Sequence, residues 1–300
     1  MKKILLATSA LVMVAGAASA EVALSGSARM GLVYDGAAGA SGETYFSSRV
    51  RIVFTASGET DTGLSFGASM RADQLGGNNN DSGADKDGDS NGDSTVFISG
   101  AFGKLTMGDT DGAADNLVGQ VSGVGYGPND ALQEIGFLGS SDTSVYYEYS
   151  AGALTFGLGA GQLYQPDPTP VGVDTEDALN IGVKYATDAF SVALAYETTD
   201  TVDALHLGGS ATFGAATLKA RVTDRDDQSD VQWATSVDYA IDATTITAFY
   251  TDFGDNDTQH YGLGAAYDLG GGASVAGGIV QQNAPAGDTT FADVGLKFSF

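Results

Sequence analysis

Four arginines are spaced so that they could form one basic surface. They are Arg29, Arg49, Arg51 and Arg71. Each occupies a polar position in one of three consecutive segments in which apolar and polar residues alternate. Because successive side chains of a β-strand point to opposite faces, this alternation places all four on the polar face of three neighbouring strands. They could form a basic wall, or they could only solvate an interior and pair with acids such as Asp73 and Glu148.

A set of acidic residues could stand opposite these arginines. The acids are Asp109, Asp111, Asp115, Asp130 and Glu134, in or next to the longest polar connection, Thr110–Ser141. The same connection carries apolar residues such as Leu117, Val121 and Phe137, which an exposed loop would not need. We expect the loop to fold inward, pack these residues on a wall and present its acids to the arginines. Such a charged gap would pass polar solutes and disfavour apolar ones.

Metal and catalytic chemistry have weaker support. Asp87, Asp89, Asn91 and Asp93 reproduce the first half of an EF-hand loop, but Ile98 stands where the motif needs Glu. The segment is therefore either a calcium site or a solvated acidic loop. No catalytic residue is predicted, since the two histidines, His206 and His260, have no nucleophile context and cysteine is absent.

The elements that would position these residues are strands. Eight long polar connections and seven short corners separate the alternating segments, which gives sixteen strands with both termini on the side of the short turns. The predicted fold is all-β: a 16-stranded antiparallel transmembrane β-barrel with short periplasmic turns, long outer loops and an inward-folded third loop. A water-soluble β-sandwich is the alternative, although its core would have to absorb every one of these strands.

The first twenty residues of the chain indicate export. Lys2 and Lys3 precede an apolar run and a small-residue site at Ala18–Ala20, which predicts a signal peptide over residues 1–20. Residues 21–300 would then form a single barrel domain. The net charge of −25 argues against nucleic acid as a partner.

Several motifs resemble the general diffusion porins of Rhodobacter-type alphaproteobacteria. They are Glu21–Gly31 (EVALSGSARMG), Phe46–Arg51 (FSSRVR), Phe97–Lys104 (FISGAFGK), Tyr261–Gly272 (YGLGAAYDLGGG) and the ending at Phe300. The resemblance implies a homotrimer with one pore per subunit and a basic wall that faces an acidic inward loop. Arg29, Arg49 and Arg51 match the basic-wall positions of that family. The resemblance also implies that Phe300 signals assembly and closes the barrel beside the strand that starts at Glu21, and that Ca²⁺ can bind loop carboxylates while no cofactor is required.

The expected function is that of an outer-membrane porin, in contact with lipid and lipopolysaccharide, through which small hydrophilic solutes and ions diffuse passively. One alternative is a substrate-selective channel lined by aromatic residues such as Tyr126, Phe137 and Tyr164. Another is an outer-membrane hydrolase that uses His206 or His260. A secreted calcium-binding adhesin would need nonapeptide repeats, which the sequence lacks.

Overall fold

The chain folds into a closed β-barrel in which every strand is antiparallel to its neighbours. The structure is a computed structural model, and it describes residues 21–37, 42–73, 94–129, 131–138, 144–161, 178–254 and 257–300. Each strand pairs with the next along the chain, and the first strand pairs with the sixteenth. The predicted strand number and topology are confirmed.

The strands and the short helix have the following bounds: β1 Glu21–Asp35, β2 Glu43–Glu59, β3 Ser65–Asp73, β4 Ser94–Gly100, β5 Gly103–Gly108, α1 Ala113–Val118, β6 Ser144–Ala151, β7 Leu154–Ala160, β8 Leu179–Ala186, β9 Phe190–Thr198, β10 Asp203–Phe213, β11 Ala216–Arg225, β12 Gln232–Ile241, β13 Thr244–Asp252, β14 Gln259–Gly270, β15 Ala273–Asn283 and β16 Thr289–Ser299.

The barrel closes between the two ends of the chain. Ser27 to Asp35 of β1 pair with Ser299 to Phe291 of β16. The pairing continues past the last strand residue, because the Gly26 amide donates to the Phe300 carbonyl at 2.7 Å and the Phe300 amide donates to the Gly26 carbonyl at 3.0 Å. A closed ladder leaves no strand edge with unpaired backbone groups. Strands that lie in lipid need this closure, because no water is present to satisfy such groups.

Alternation along the strands separates an apolar outer face from a polar inner face. In β12, Trp233 and Tyr239 are exposed on the outside, whereas Gln232 and Ser236 are buried on the inside. The outward residues form an apolar surface all round the barrel, as a lipid-facing band requires. Among the described residues, no helix is long and apolar enough to cross a membrane.

The connections differ between the two rims. Seven short corners occupy one rim, and two of them turn at Gly152 and Gly214 with φ values of 63° and 62°, a conformation that glycine adopts without strain. The longer connections occupy the other rim. The β11 strand ends at Arg225, which forms an ion pair with Asp227 at 2.8 Å. The connection from β5 to β6 turns into the barrel, and its residues 109–138 are called the inward loop below.

Candidate functional site

The inward loop begins on the wall formed by β7 to β10, where α1 packs. The Ala113 amide at the start of α1 donates to Asn180 Oδ1 of β8 at 2.6 Å. Leu117 is buried against the wall at Gly157 and Gly182, where an added Cβ would come within 2.9 Å of the Leu117 Cδ1 atom. These glycines therefore make room for the helix.

From α1 the loop follows the wall across β12 and β13. The Ser122 amide donates to Ser236 Oγ at 2.9 Å, and the Ser122 hydroxyl donates to Asp238 Oδ2 at 2.6 Å. Val124 packs in a buried cluster with Phe249 of β13. The loop is thus fixed by both hydrogen bonds and apolar contacts.

Tyr126 anchors the tip of the loop at the barrel closure. Its side chain is 0% exposed and lies over Gly31 of β1 and Gly295 of β16, where an added Cβ would come within 2.8 and 2.7 Å of the ring. Its amide donates to Asp293 Oδ1 at 3.1 Å and its hydroxyl donates to the Ser47 carbonyl at 3.4 Å. The tip therefore binds both the first and the last strand.

The loop then returns along the wall towards β9. His260 Nδ1 lies 2.6 Å from the Leu132 carbonyl oxygen, so this nitrogen carries the proton and donates it. The Thr251 hydroxyl donates to the Gln133 carbonyl at 2.8 Å. Backbone carbonyls of the returning limb thus find side-chain donors on β13 and β14.

Arg221 of β11 holds the end of the returning limb. Its Nη1 donates to the Ile135 carbonyl at 2.8 Å and its Nη2 donates to the Gly136 carbonyl at 3.3 Å. The Phe137 ring covers the guanidinium, with its centroid 3.8 Å from Cζ. Arg221 is only 2% exposed, so its charge is almost fully removed from water and depends on these partners.

His206 and Glu197 complete this anchor. Arg221 Nη2 lies 3.2 Å from His206 Nδ1, and because arginine can only donate, Nδ1 is the acceptor. His206 Nε2 therefore carries the proton and donates to Glu197 Oε2 at 3.0 Å. The same oxygen accepts the Leu138 amide at 2.9 Å. His206 is 0% exposed, so it braces the loop and has no access to a solute.

The four arginines of the sequence prediction lie together on β1, β2 and β3, and all are half-buried. Arg29 pairs directly with Arg49 on β2, and on its other side with Lys297 on β16. Lys297 thus extends the basic row, although it was not among the predicted residues. The loop tip reaches this row at Gly127, where an added Cβ would lie 2.1 Å from Arg29 Nη1.

The acidic residues lie mostly elsewhere in the lumen. Asp109, Asp111 and Glu134 are exposed, and Asp115 is half-buried in α1. Burial, reinforced by the neighbouring Asp111 charge, raises the pKa of Asp115 to about 6, although Arg221 favours its ionised form. Since α1 packs on β8 and β9, Asp115 stands on that side of the barrel, whereas Asp109 follows β5 and its amide donates to the Ser94 carbonyl of β4 at 2.9 Å.

Comparison with known proteins agrees with this architecture. The model of the Gram-negative porin family matches residues 7–286. The chain belongs to the Gram-negative porin family. It is 38% identical to a porin of Rhodobacter capsulatus and 29% identical to a porin of Fuscovulum blasticum, in each case over 93% of this chain and 100% of the relative.

Solved porin structures share the fold of this porin. A porin structure refined at 1.8 Å resolution is 33% identical and superimposes with a TM-score of 0.75, and a variant of the Rhodopseudomonas blastica porin is 25% identical with a TM-score of 0.73. Both alignments cover 93% of this chain and 100% of the other. Family and barrel together identify an outer-membrane porin.

Some predicted residues of this porin fall outside the described part of the chain. They are the signal peptide, residues 1–20, the calcium candidates Asp87, Asp89, Asn91 and Asp93, the loop acid Asp130, and Tyr164. Within the described residues, no three His, Asp or Glu side chains are grouped so that they could hold a metal ion. Glu21 is described as the first residue of β1 and pairs with Ser57 of β2, whereas Phe300 meets Gly26.

Glycines on the inner face were a signal that the sequence prediction did not use. Loop side chains lie where strand glycines leave the wall bare: Leu117 at Gly157 and Gly182, and Val118 at Gly208, where an added Cβ would be 2.7 Å from Val118 Cγ1. A glycine weakens a strand interior, so its presence at an inward position indicates a close approach. The anchoring cluster of Arg221, by contrast, had no local signal.

Proposed function

We propose that this porin forms a water-filled channel for passive diffusion of small hydrophilic solutes and ions, and that the gap between the inward loop and the basic wall is its constriction. Sixteen strands leave an interior wide enough for water, so the loop determines the free cross-section. The many contacts of residues 113–138 with the wall support a fixed constriction rather than a mobile lid.

Strand order is the observation that carries the proposal. In a closed ring of sixteen strands, β9 is eight positions from β1, which is half the circumference. The arginines stand on β1 to β3, and α1 with Asp115 packs on β8 and β9. The arginine row and Asp115 thus stand on opposite sides of the lumen, with Arg221 close enough to Asp115 to interact with it electrostatically. A field across the gap orients water and polar solutes, which favours their passage over that of apolar molecules.

Single-channel recording in a planar bilayer tests this proposal. The purified wild-type protein should give large ohmic steps, and the double variant Arg49→Gln, Arg51→Gln should shift the reversal potential in a salt gradient towards cations. Lys104→Gln is the matched control, because it removes a positive charge from β5 next to a short corner. An equal shift in the control, or none in the double variant, would contradict the placement of the constriction. Absence of any conductance would contradict the channel itself.

The substrate-selective alternative loses two of its three aromatic candidates. Tyr126 of the loop is buried against the wall, and Phe137 covers Arg221, so both hold the loop in place. Liposome swelling with sugars of increasing size checks the difference. A general channel gives rates that fall steadily with solute size, whereas a selective channel gives saturation for one sugar.

The remaining parts of the proposal come from the sequence and the family. The precursor loses residues 1–20 on export, the barrel works as a homotrimer among lipid and lipopolysaccharide, and the outer loops can take up Ca²⁺. Mass spectrometry of the purified protein tests the cleavage before Glu21. Its mass in detergent, with and without a calcium chelator, tests the trimer and the role of calcium.

A further inference from the structure

A small cavity lies between the inward loop and the wall of the barrel. Its volume is about 230 Å³, and it is bounded on the loop side by residues 117–121 and on the wall side by β8 to β11. It is called the sub-loop cavity here. Loop and wall are held together around it by the α1 contacts and by Arg221, so its shape is set by rigid elements.

Three cationic side chains line the sub-loop cavity. They are Lys184 of β8, Lys219 of β11 and Arg221 of β11. Strand pairing explains the grouping, since Lys184, Ala193, Gly208 and Arg221 form one row across four strands. Lys219 lies in the next row, beside Ser210 and Ser191. Among the described residues that line the cavity, none is acidic.

The two lysines supply the charge that a ligand would meet. Arg221 is already committed to loop carbonyls and interacts electrostatically with Asp115, Glu197 and Glu134. The structure gives the side chain of neither Lys184 nor Lys219 a hydrogen bond or an ion pair with any described residue. Both lysines are half-buried, and neither ammonium group has an anionic partner among the described residues. An anion in the cavity would supply that partner.

Two serine hydroxyl groups also line the site. Ser191 Oγ and Ser210 Oγ are 2.9 Å apart, so one hydroxyl donates to the other and the second keeps its proton for a ligand. Between the two lysines the loop covers the wall, with Leu117 packed on Ala193 and Val118 over Gly208. Adjacent strands are about 4.8 Å apart, so β8 and β11 are separated by about 14 Å, and the long lysine side chains can converge on a ligand between them.

We propose that the sub-loop cavity binds a small oxyanion of the phosphate or carboxylate type, held by Lys184 and Lys219 with a serine hydroxyl as a further donor. This inference deepens the proposed channel function, on which it rests: an anion that crosses the constriction pauses in the cavity. The competing explanation is that the lysines only balance the carbonyl groups at the end of α1, where Gly119 terminates the helix.

Titration of the refolded full-length barrel with inorganic phosphate, followed by phosphorus NMR or calorimetry in about 0.1 M salt, tests the site. Salt at that level screens surface charges beyond about 10 Å. We expect Lys184→Gln and Lys219→Gln each to weaken phosphate binding by about tenfold, and Lys→Arg at either position to retain it. Lys104→Gln, which removes a charge outside the cavity, should bind phosphate as the wild type does.

Two results would overturn the inference. One is phosphate binding that is undetectable in the wild type or unchanged in the double variant Lys184→Gln, Lys219→Gln. The other is an equal loss in Lys104→Gln, which would show a general effect of charge. Conductance of potassium chloride by the same preparations is measured separately. Channels that conduct but do not bind phosphate contradict only the cavity, whereas a barrel without conductance contradicts the channel.

Discussion

Replacing Tyr126 by alanine should release the tip of the inward loop. The ring is completely buried over Gly31 and Gly295, and truncation of a buried aromatic side chain costs about 3–5 kcal/mol. Each 1.36 kcal/mol is a factor of ten, so the ratio of docked to undocked tip should fall by about two to four orders of magnitude. The bond from the Tyr126 amide to Asp293 survives the change and limits the loss.

The assay is single-channel recording of Tyr126→Ala beside Tyr126→Phe. The alanine variant should show a higher mean conductance and frequent current fluctuations, because an undocked tip widens the constriction intermittently. The phenylalanine variant keeps the ring and loses only the hydroxyl contact of 3.4 Å to Ser47, so it should resemble the wild type. Electrophoretic mobility of the unheated protein checks that both barrels are folded. A quiet, wild-type current from a folded Tyr126→Ala barrel would refute this account of the anchor.

Three further changes test other parts of the structure. Arg221→Met should leave the barrel folded but raise current noise, because the Ile135 and Gly136 carbonyls lose their donor. Limited proteolysis of the loop in calcium-free buffer provides a second measure. A cleavage rate equal to that of the wild type would contradict the role of Arg221 as an anchor. The pKa of Asp115, about 6 in the folded protein, exceeds its ordinary value of 3.8, so the folded state binds this proton more tightly and becomes more stable as pH falls through that window. Asp115→Asn should flatten this dependence of stability on pH. Between about pH 7.5 and about pH 5 the wild type should also lose cation preference as Asp115 takes up its proton, and the variant should not. An identical pH profile in the variant would show that other groups titrate. Deletion of Phe300 removes two closing hydrogen bonds of 2.7 and 3.0 Å, so refolding yield should fall, whereas Phe300→Tyr should refold normally.

Local patterns were enough to predict the barrel. Alternation in segments such as Phe46–Thr55 assigns each side chain to one face, and turn residues at corners such as Phe213–Ala215 divide the strands. These signals act within a few residues of each other, so a single sequence contains them. The same rule assigns His206 and His260 to the inner face, where both are buried beside the loop.

The site was predictable only where its residues share neighbouring strands. Arg29, Arg49, Arg51 and Arg71 could be grouped because β1 to β3 are consecutive. Lys297 completes the same row, but it is paired with Arg29 only because the ring closes. Register between distant strands depends on closure and strand tilt, which no local pattern records.

The residues that anchor the loop could not be predicted from the sequence, for a related reason. The loop residue Ile135 binds Arg221, and Tyr126 meets Asp293, although these partners are far apart in sequence. A polar side chain on an inward strand position is equally suited to water and to a loop carbonyl. Only the fold decides which of the two it meets.

The site that buries Tyr126 can form only late in folding. It consists of Gly31 near the start of the chain and of Asp293 and Gly295 near its end. This site does not exist until β1 and β16 have paired. We therefore expect the channel to be narrowed last, after the barrel has closed. A barrel in which β1 and β16 are not yet paired would carry an undocked loop that periplasmic proteases can reach.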